Sequence, residues 1–95
     1  MKDKTVIITG AARGLGQKYT IEFAKLGSNV VFADISSCDE TEDKIKKITS
    51  NYLNLDLDVT NFNSCLTLAD EVKSKFKSID VLINNAALYG ALKSS

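Results

Sequence analysis

Histidine and proline are absent from this 95-residue chain, cysteine occurs twice, and twelve basic residues are matched by twelve acidic ones. Each shortage removes a class of function. Without histidine, Cys38 and Cys65 have no imidazole to complete a zinc site or a nucleophile-base pair, and their separation does not match metal-ligand spacing. Both are expected to be reduced, structural thiols. Zero net charge leaves no field to draw the chain onto a phosphate backbone or an anionic bilayer, so neither nucleic acid nor membrane is an expected partner. No apolar run approaches the roughly 18 residues of a membrane span, and the stretch after Met1-Lys2-Asp3-Lys4 is too short for a secretion signal, which points to the cytoplasm. No repeat, low-complexity tract or Pro/Gly/Ser-rich linker divides the chain, so residues 1–95 are expected to form a single domain.

What is present is enough for one core: 44% of the residues are hydrophobic and 25% charged. At this length the buried fraction is modest, and marginal stability is expected. Four short runs rich in Val, Ile and Leu, namely Thr5 to Thr9, Asn29 to Asp34, Tyr52 to Asp56 and Asp80 to Asn84, have the length and composition of buried strands. Helical periodicity separates them. Leu15, Tyr19, Phe23 and Leu26 form the first stripe, with Gly27 placed as a left-handed C-terminal residue. Cys38, Thr41, Ile45 and Ile48 share one face of a second helix, for which Ser36 or Ser37 is the candidate N-cap. Here Asp39, Glu40, Glu42 and Asp43 precede Lys44, Lys46 and Lys47, an order that suits the helix dipole. Phe62, Leu66, Ala69, Val72 and Phe76 make the third stripe, after Thr60. The order β-α-β-α-β-α-β predicts an α/β fold with a parallel sheet and helices on both faces. Ligands of such sheets bind beyond the carboxyl ends of the strands.

Four signals cluster at those ends. The first is Thr9-Gly10-Ala11-Ala12-Arg13-Gly14-Leu15-Gly16, which follows strand one and opens helix one. Gly10 and Gly14 permit close approach of a phosphate to helix N-terminal N–H groups, and Gly16 permits close packing of the helix on the sheet. A glycine-rich turn without a ligand is the alternative. The spacing is neither Gly-x-Gly-x-x-Gly nor a P-loop. The second is Asp34, which ends strand two 24 positions after Gly10, near the separation of about 20 expected of a carboxylate that binds a ribose 2′-hydroxyl. Alone it reads equally as a turn aspartate or a helix cap. The third is Leu57-Asp58-Val59, placed to contact an adenine, or simply to lead through Thr60 into the next helix. The fourth is Asn84-Asn85-Ala86-Ala87, whose small residues leave room for a ligand and whose asparagines also suit a turn.

Taken jointly, these motifs resemble the short-chain dehydrogenase/reductase family, whose N-terminal half carries Thr-Gly-x3-Gly-x-Gly, an acidic residue after strand two, Asp-Val after strand three and Asn-Asn-Ala-Gly after strand four. The likeness spans residues 4 to 87, with Ala87 in place of the usual glycine. It implies a Rossmann-like sheet of about four strands in the order 3-2-1-4, an incomplete doubly wound fold and a partial dinucleotide-binding domain. It also implies that Gly10, Arg13, Gly14, Leu15 and Gly16 surround the cofactor pyrophosphate and nearby ribose, and that Asp34 holds the adenosine ribose. Asp58 and Val59 would hold adenine. Asn85, Ala86 and Ala87 would line the cofactor cleft, and Asn84 would stabilise the central sheet.

Asp34 favours NAD over NADP, because its carboxylate repels a 2′-phosphate, while Arg13 leaves NADP open. In the family a serine and a Tyr-x3-Lys pair in the downstream half perform the chemistry. Tyr89 and Lys93 share that interval, but they begin two residues after the Asn-Asn-Ala-Ala turn, far too early to be that pair. The resemblance therefore implies the NAD-binding half of an oxidoreductase acting on an alcohol or carbonyl, inactive as this chain alone and homo-oligomeric at full length. A stand-alone nucleotide-binding module and a Rossmann-like methyltransferase are the rival readings.

Overall fold

The computed structural model describes residues 1–58 and 60–85. Four strands, β1 (Thr5–Thr9), β2 (Asn29–Asp34), β3 (Tyr52–Asp56) and β4 (Val81–Asn84), alternate with α1 (Gly14–Lys25), α2 (Asp39–Ile45) and α3 (Phe62–Phe76). All strand pairs are parallel, and the sheet runs β3-β2-β1-β4, the expected order. Only the start of β4 differs from expectation, by one residue. Asp80 stands just outside the strand: its N–H donates to Thr5 O (3.0 Å), and its Oδ2 accepts the Thr5 N–H (2.8 Å).

The period of two along each strand divides the apolar residues between two cores. Val6, Ile8, Val30 and Phe32 face α1 and α2 together with Ala24, Cys38 and Ile45. Ile7, Val31 and Ala33 face α3 with Leu68 and Val72. The central strands are covered on both faces, which explains their unbroken Val/Ile runs. β4 is an edge, and Leu82, in register with Ile7, is 61% exposed because α3 covers that face of the sheet toward β2 and β3 rather than over β4.

All three helices form where the periodicity places them, yet two present a different face from the one expected. Gly16, Gln17, Thr20 and Ala24 are the buried residues of α1, while Leu15 and Leu26 are exposed and Tyr19 and Phe23 only flank the core. Small residues at positions i, i+4 and i+8 let the helix sit close to the sheet, and the Thr20 hydroxyl is satisfied internally by the Gly16 carbonyl at 2.8 Å. Gly27 follows with φ +85°, as expected. In α3 the inward face is Cys65, Leu68, Val72 and Phe76, and Phe62 and Leu66 point to solvent. Its N-cap is Asn61, whose side chain accepts the Ser64 N–H. α2 ends at Ile45, so Ile48 lies beyond it, and its N-cap is Cys38 rather than a serine. No helix among the described residues is long and apolar enough to cross a membrane.

Both cysteines are free. Cys38 is buried, and the loss of solvation, reinforced by the nearby charges of Asp34, Asp56 and Asp39, pushes its thiol up to about 12. Because the thiolate is the reactive form, Cys38 is expected to react with an aromatic disulfide reagent at pH 7.5 at least about a hundredfold more slowly than the partly buried Cys65. Two well-separated labelling phases, the fast one lost in Cys65→Ser, are the expected result; equal rates for the two thiols contradict it.

Candidate functional site

The pairing registers bring the last residues of all four strands onto one rim: Thr9 beside Ala33 and Asn84, and Asp34 beside Asp56. The glycine-rich turn, Asp34, Asp58 and Asn85 therefore share the carboxyl end of the sheet. Parallel pairing with helical crossovers produces this convergence without any long-range sequence signal.

The turn after β1 is held from several sides. Gly10 adopts φ +67° and Gly14 φ +61°, conformations that favour glycine. The Ala11 N–H donates to Ala33 O at 3.2 Å, continuing the β1–β2 ladder. The Ala12 N–H donates to Asp34 Oδ2 at 3.0 Å, and Asp34 Oδ1 accepts the Ser36 N–H at 3.0 Å. A single carboxylate thus ties the turn after β1 to the turn after β2. Each of its oxygens accepts one N–H and retains capacity for another donor.

α1 begins at Gly14 with Arg13 as N-cap in an extended conformation. No side chain caps this end, and no acidic residue lies in the first turn. The positive end of the helix dipole is therefore uncompensated by local carboxylates. Arg13 and Leu15 are exposed on this rim, and a Cβ added at Gly14 would meet nothing within 4 Å. Gly16 is the opposite case: an added Cβ would overlap the Gly10 carbonyl oxygen, lie 2.7 Å from its carbon and 3.0 Å from Asn85 Nδ2. Asn85 Nδ2 in turn donates to Gly10 O at 3.2 Å, joining the end of β4 to the glycine turn. Thr9 Oγ1 donates to Asn84 Oδ1 at 3.0 Å, so Asn84 ties β4 to β1.

Asp58 sits at the same end of the sheet but is turned to local work. Its Oδ1 accepts from both the N–H (2.9 Å) and the hydroxyl (2.6 Å) of Thr60, and these bonds hold its carboxyl below the usual range. Its own N–H donates to Ser64 Oγ at 3.1 Å, which ties the end of β3 to the start of α3. Val59, Ala86, Ala87, Tyr89 and Lys93 lie outside the described residues.

Behind the turn lie polar residues that periodicity alone did not mark as functional. Gln17 and Thr41 are buried; the Gln17 amide donates to the Ala12 carbonyl and the Thr41 hydroxyl to the Ala11 carbonyl. Thr41 was legible only as a member of a helical stripe, and Gln17 not at all. A cleft of about 480 Å³, lined by residues that include Ser37, Cys38, Asp56 and Glu71, opens between α2, β3 and α3. None of the glycine-turn residues lines it, and its mixed polar walls suggest no specific ligand.

Comparison with known proteins agrees with this architecture. A family model described as short chain dehydrogenase matches residues 4–95. A short chain dehydrogenase/reductase of Gibberella zeae is 38% identical over 94 residues, which cover 93% of this chain and 33% of that protein. The crystal structure of hydroxysteroid dehydrogenase from Escherichia coli superposes with a TM-score of 0.82 at 33% identity, covering 87% of this chain and 36% of that one. A short-chain dehydrogenase/reductase of unknown function from Caenorhabditis elegans, solved with cofactor, superposes with a TM-score of 0.81 at 34% identity over 85% of this chain and 32% of that one. The chain thus spans about a third of the length of the relatives it matches. With the family model matching nearly its whole length and the sheet order as that family's fold requires, this chain belongs to the short-chain dehydrogenase family.

Proposed function

We propose that residues 1–95 form the dinucleotide-binding domain of an NAD-dependent oxidoreductase that acts on an alcohol or carbonyl, in a cytoplasmic protein that assembles as a homo-oligomer. One observation carries the cofactor reading above the others: the bond from the Ala12 N–H to the Asp34 carboxylate, at 3.0 Å. It holds the Asp34 carboxylate against the turn that opens α1, which supports the reading that one ligand spans both, its ribose on Asp34 and its pyrophosphate on the helix N-terminus.

The residues present fit such a ligand. Open space faces Gly14, the first turn of α1 lacks a side-chain cap, and Asp34 retains acceptor capacity. In this reading the N–H groups after Gly14 hold the pyrophosphate, and Gly10, Arg13 and Leu15 frame it, with Gly16 supporting the turn from below. Asp34 accepts the 2′-hydroxyl of the adenosine ribose. Asp58 and Val59 flank the adenine, and Asn85, Ala86 and Ala87 line the cleft toward the nicotinamide. When bound, the cofactor supplies the hydride exchange; these residues bind and orient it.

Calorimetric titration tests the proposal. NADH is expected to bind at least about tenfold more tightly than NADPH, a difference of about 1.4 kcal/mol, and to raise the melting temperature by mass action. Tighter binding of NADPH, or of S-adenosylmethionine, overturns it.

A further inference from the structure

Three side chains on the far side of the glycine turn form a directed hydrogen-bond relay. Lys44 Nζ donates to Gln17 Oε1 at 2.7 Å, which fixes the amide with its NH₂ turned inward. Gln17 Nε2 then donates to Ala12 O at 3.2 Å and to Thr41 Oγ1 at 3.0 Å. The Thr41 hydroxyl, its lone pair engaged by Gln17, donates its proton to Ala11 O at 2.6 Å. Every donor in the series points toward the turn, and every acceptor is consistent with its neighbour.

Gln17 and Thr41 are buried, whereas the Lys44 side chain is 48% exposed and also lies 3.6 Å from Glu40. With the Ala11 and Ala12 N–H groups bonded to Ala33 O and Asp34 Oδ2, the Ala11 and Ala12 peptide groups are held on both edges. The Ala12 carbonyl is gripped by Gln17, and the N–H of the same residue grips Asp34.

We infer that Gln17, Thr41 and Lys44 are positioning residues that set the aim of the Asp34 carboxylate through the Ala12 backbone, and so determine how strongly the site discriminates a ribose 2′-hydroxyl from a 2′-phosphate. The inference rests on the cofactor reading above. Buried polar networks of this kind hold one arrangement only while every member is satisfied. Removing the Thr41 hydroxyl leaves Ala11 O and one Gln17 proton without their partners, and the turn relaxes to satisfy them. Asp34 then follows Ala12.

The test compares Thr41→Val, which keeps the shape and loses the hydroxyl, with Thr41→Ser, which keeps the hydroxyl, and with Lys44→Met at the exposed end. NADH and NADPH dissociation constants are measured for the purified protein well below each variant's melting temperature. Thr41→Val is expected to weaken NADH about tenfold and to lower the NADH-over-NADPH preference about fivefold, in keeping with the loss of one buried hydrogen bond. Thr41→Ser should restore both values, and Lys44→Met should lower the preference about twofold. A purely structural role would lower the melting temperature while leaving the preference unchanged, and that result overturns the inference. If Thr41→Val does not fold, Lys44→Met decides, and an unchanged preference there is equally fatal. If the wild-type protein binds neither nucleotide, the cofactor reading falls and takes this inference with it; if wild type binds and the variants match it, only the relay falls.

Discussion

Gly16→Ala is expected to cost the fold about 3 kcal/mol and to remove measurable NADH binding. The new methyl would overlap the carbonyl of Gly10 and crowd Asn85 Nδ2. Neither obstacle is the free end of a flexible side chain. Gly10 is backbone, fixed at the end of β1, and Asn85 is held to that same carbonyl. Relief requires α1 to move away from the strand, which opens the packing of Gln17, Thr20 and Ala24 beneath it. Overpacking of this kind costs about 1–3 kcal/mol and occasionally more; the backbone contact places Gly16 at the upper end. In a domain of this size 1 kcal/mol shifts the melting temperature by about 4–8 °C, so a drop of more than about 10 °C is expected. Gly14→Ala is the control. Its backbone, at φ +61°, strains any L side chain, at a cost of about 1–2 kcal/mol, but its Cβ enters open space. Gly14→Ala should therefore lose affinity out of proportion to stability, because the proposed cofactor reading puts the pyrophosphate in that space, whereas Gly16→Ala loses both. Thermal melts and NADH titrations of the two variants separate the cases, and a Gly16→Ala protein with wild-type melting and binding contradicts the account.

The contrast between these two glycines also marks what the sequence discloses. Four strands and three helices were legible because the central strands β1 and β2, buried on both faces, require continuous Val/Ile runs, the edge strands keep short apolar runs of their own, and helical periodicity separates them. The rim was legible too, since strand ends follow from strand assignments. The inward faces of α1 and α3 were not. Periodicity ranks large apolar residues first, and it selected Leu15, Leu26, Phe62 and Leu66, all of which are exposed. The α1 contact is made instead by Gly16, Gln17, Thr20 and Ala24, whose small size or internal bonding lets the helix approach. Helix ends were equally opaque where no signature residue stands: α3 terminates at Lys77 in a left-handed conformation, φ 71°, where glycine is usual. At the site, Asp34 and the glycines announce themselves by type and spacing. Gln17, Thr41 and Lys44 do not, because an amide, a hydroxyl and an ammonium meeting behind a turn depend on how α1 and α2 pack side by side.

Asp34→Ala is expected to invert the nucleotide preference, and the geometry gives the size and the route. In the proposed cofactor reading the wild-type carboxylate meets a ribose hydroxyl as acceptor and a ribose phosphate as a like charge. Hydrogen bonds to charged groups contribute about 1.5–3 kcal/mol, so its loss should weaken NADH by about 10- to 100-fold. NADPH loses the same repulsion and is expected to gain affinity, aided by the exposed Arg13 guanidinium beside the turn. The Ala12 and Ser36 N–H groups also lose their acceptor, which should cost about 1–2 kcal/mol of stability, with the part-buried Ala12 N–H the more expensive of the two. A gain in NADPH affinity, unlike a loss for NADH, cannot come from a loosened turn alone, since loosening weakens two ligands that share one pyrophosphate. The double variant Arg13→Ala/Asp34→Ala then isolates the attraction: it should keep the loss for NADH and forfeit the gain for NADPH. If Asp34→Ala weakens both nucleotides by the same factor, Asp34 serves only as the acceptor that holds the Ala12 turn, and the ribose must be recognised elsewhere on the rim.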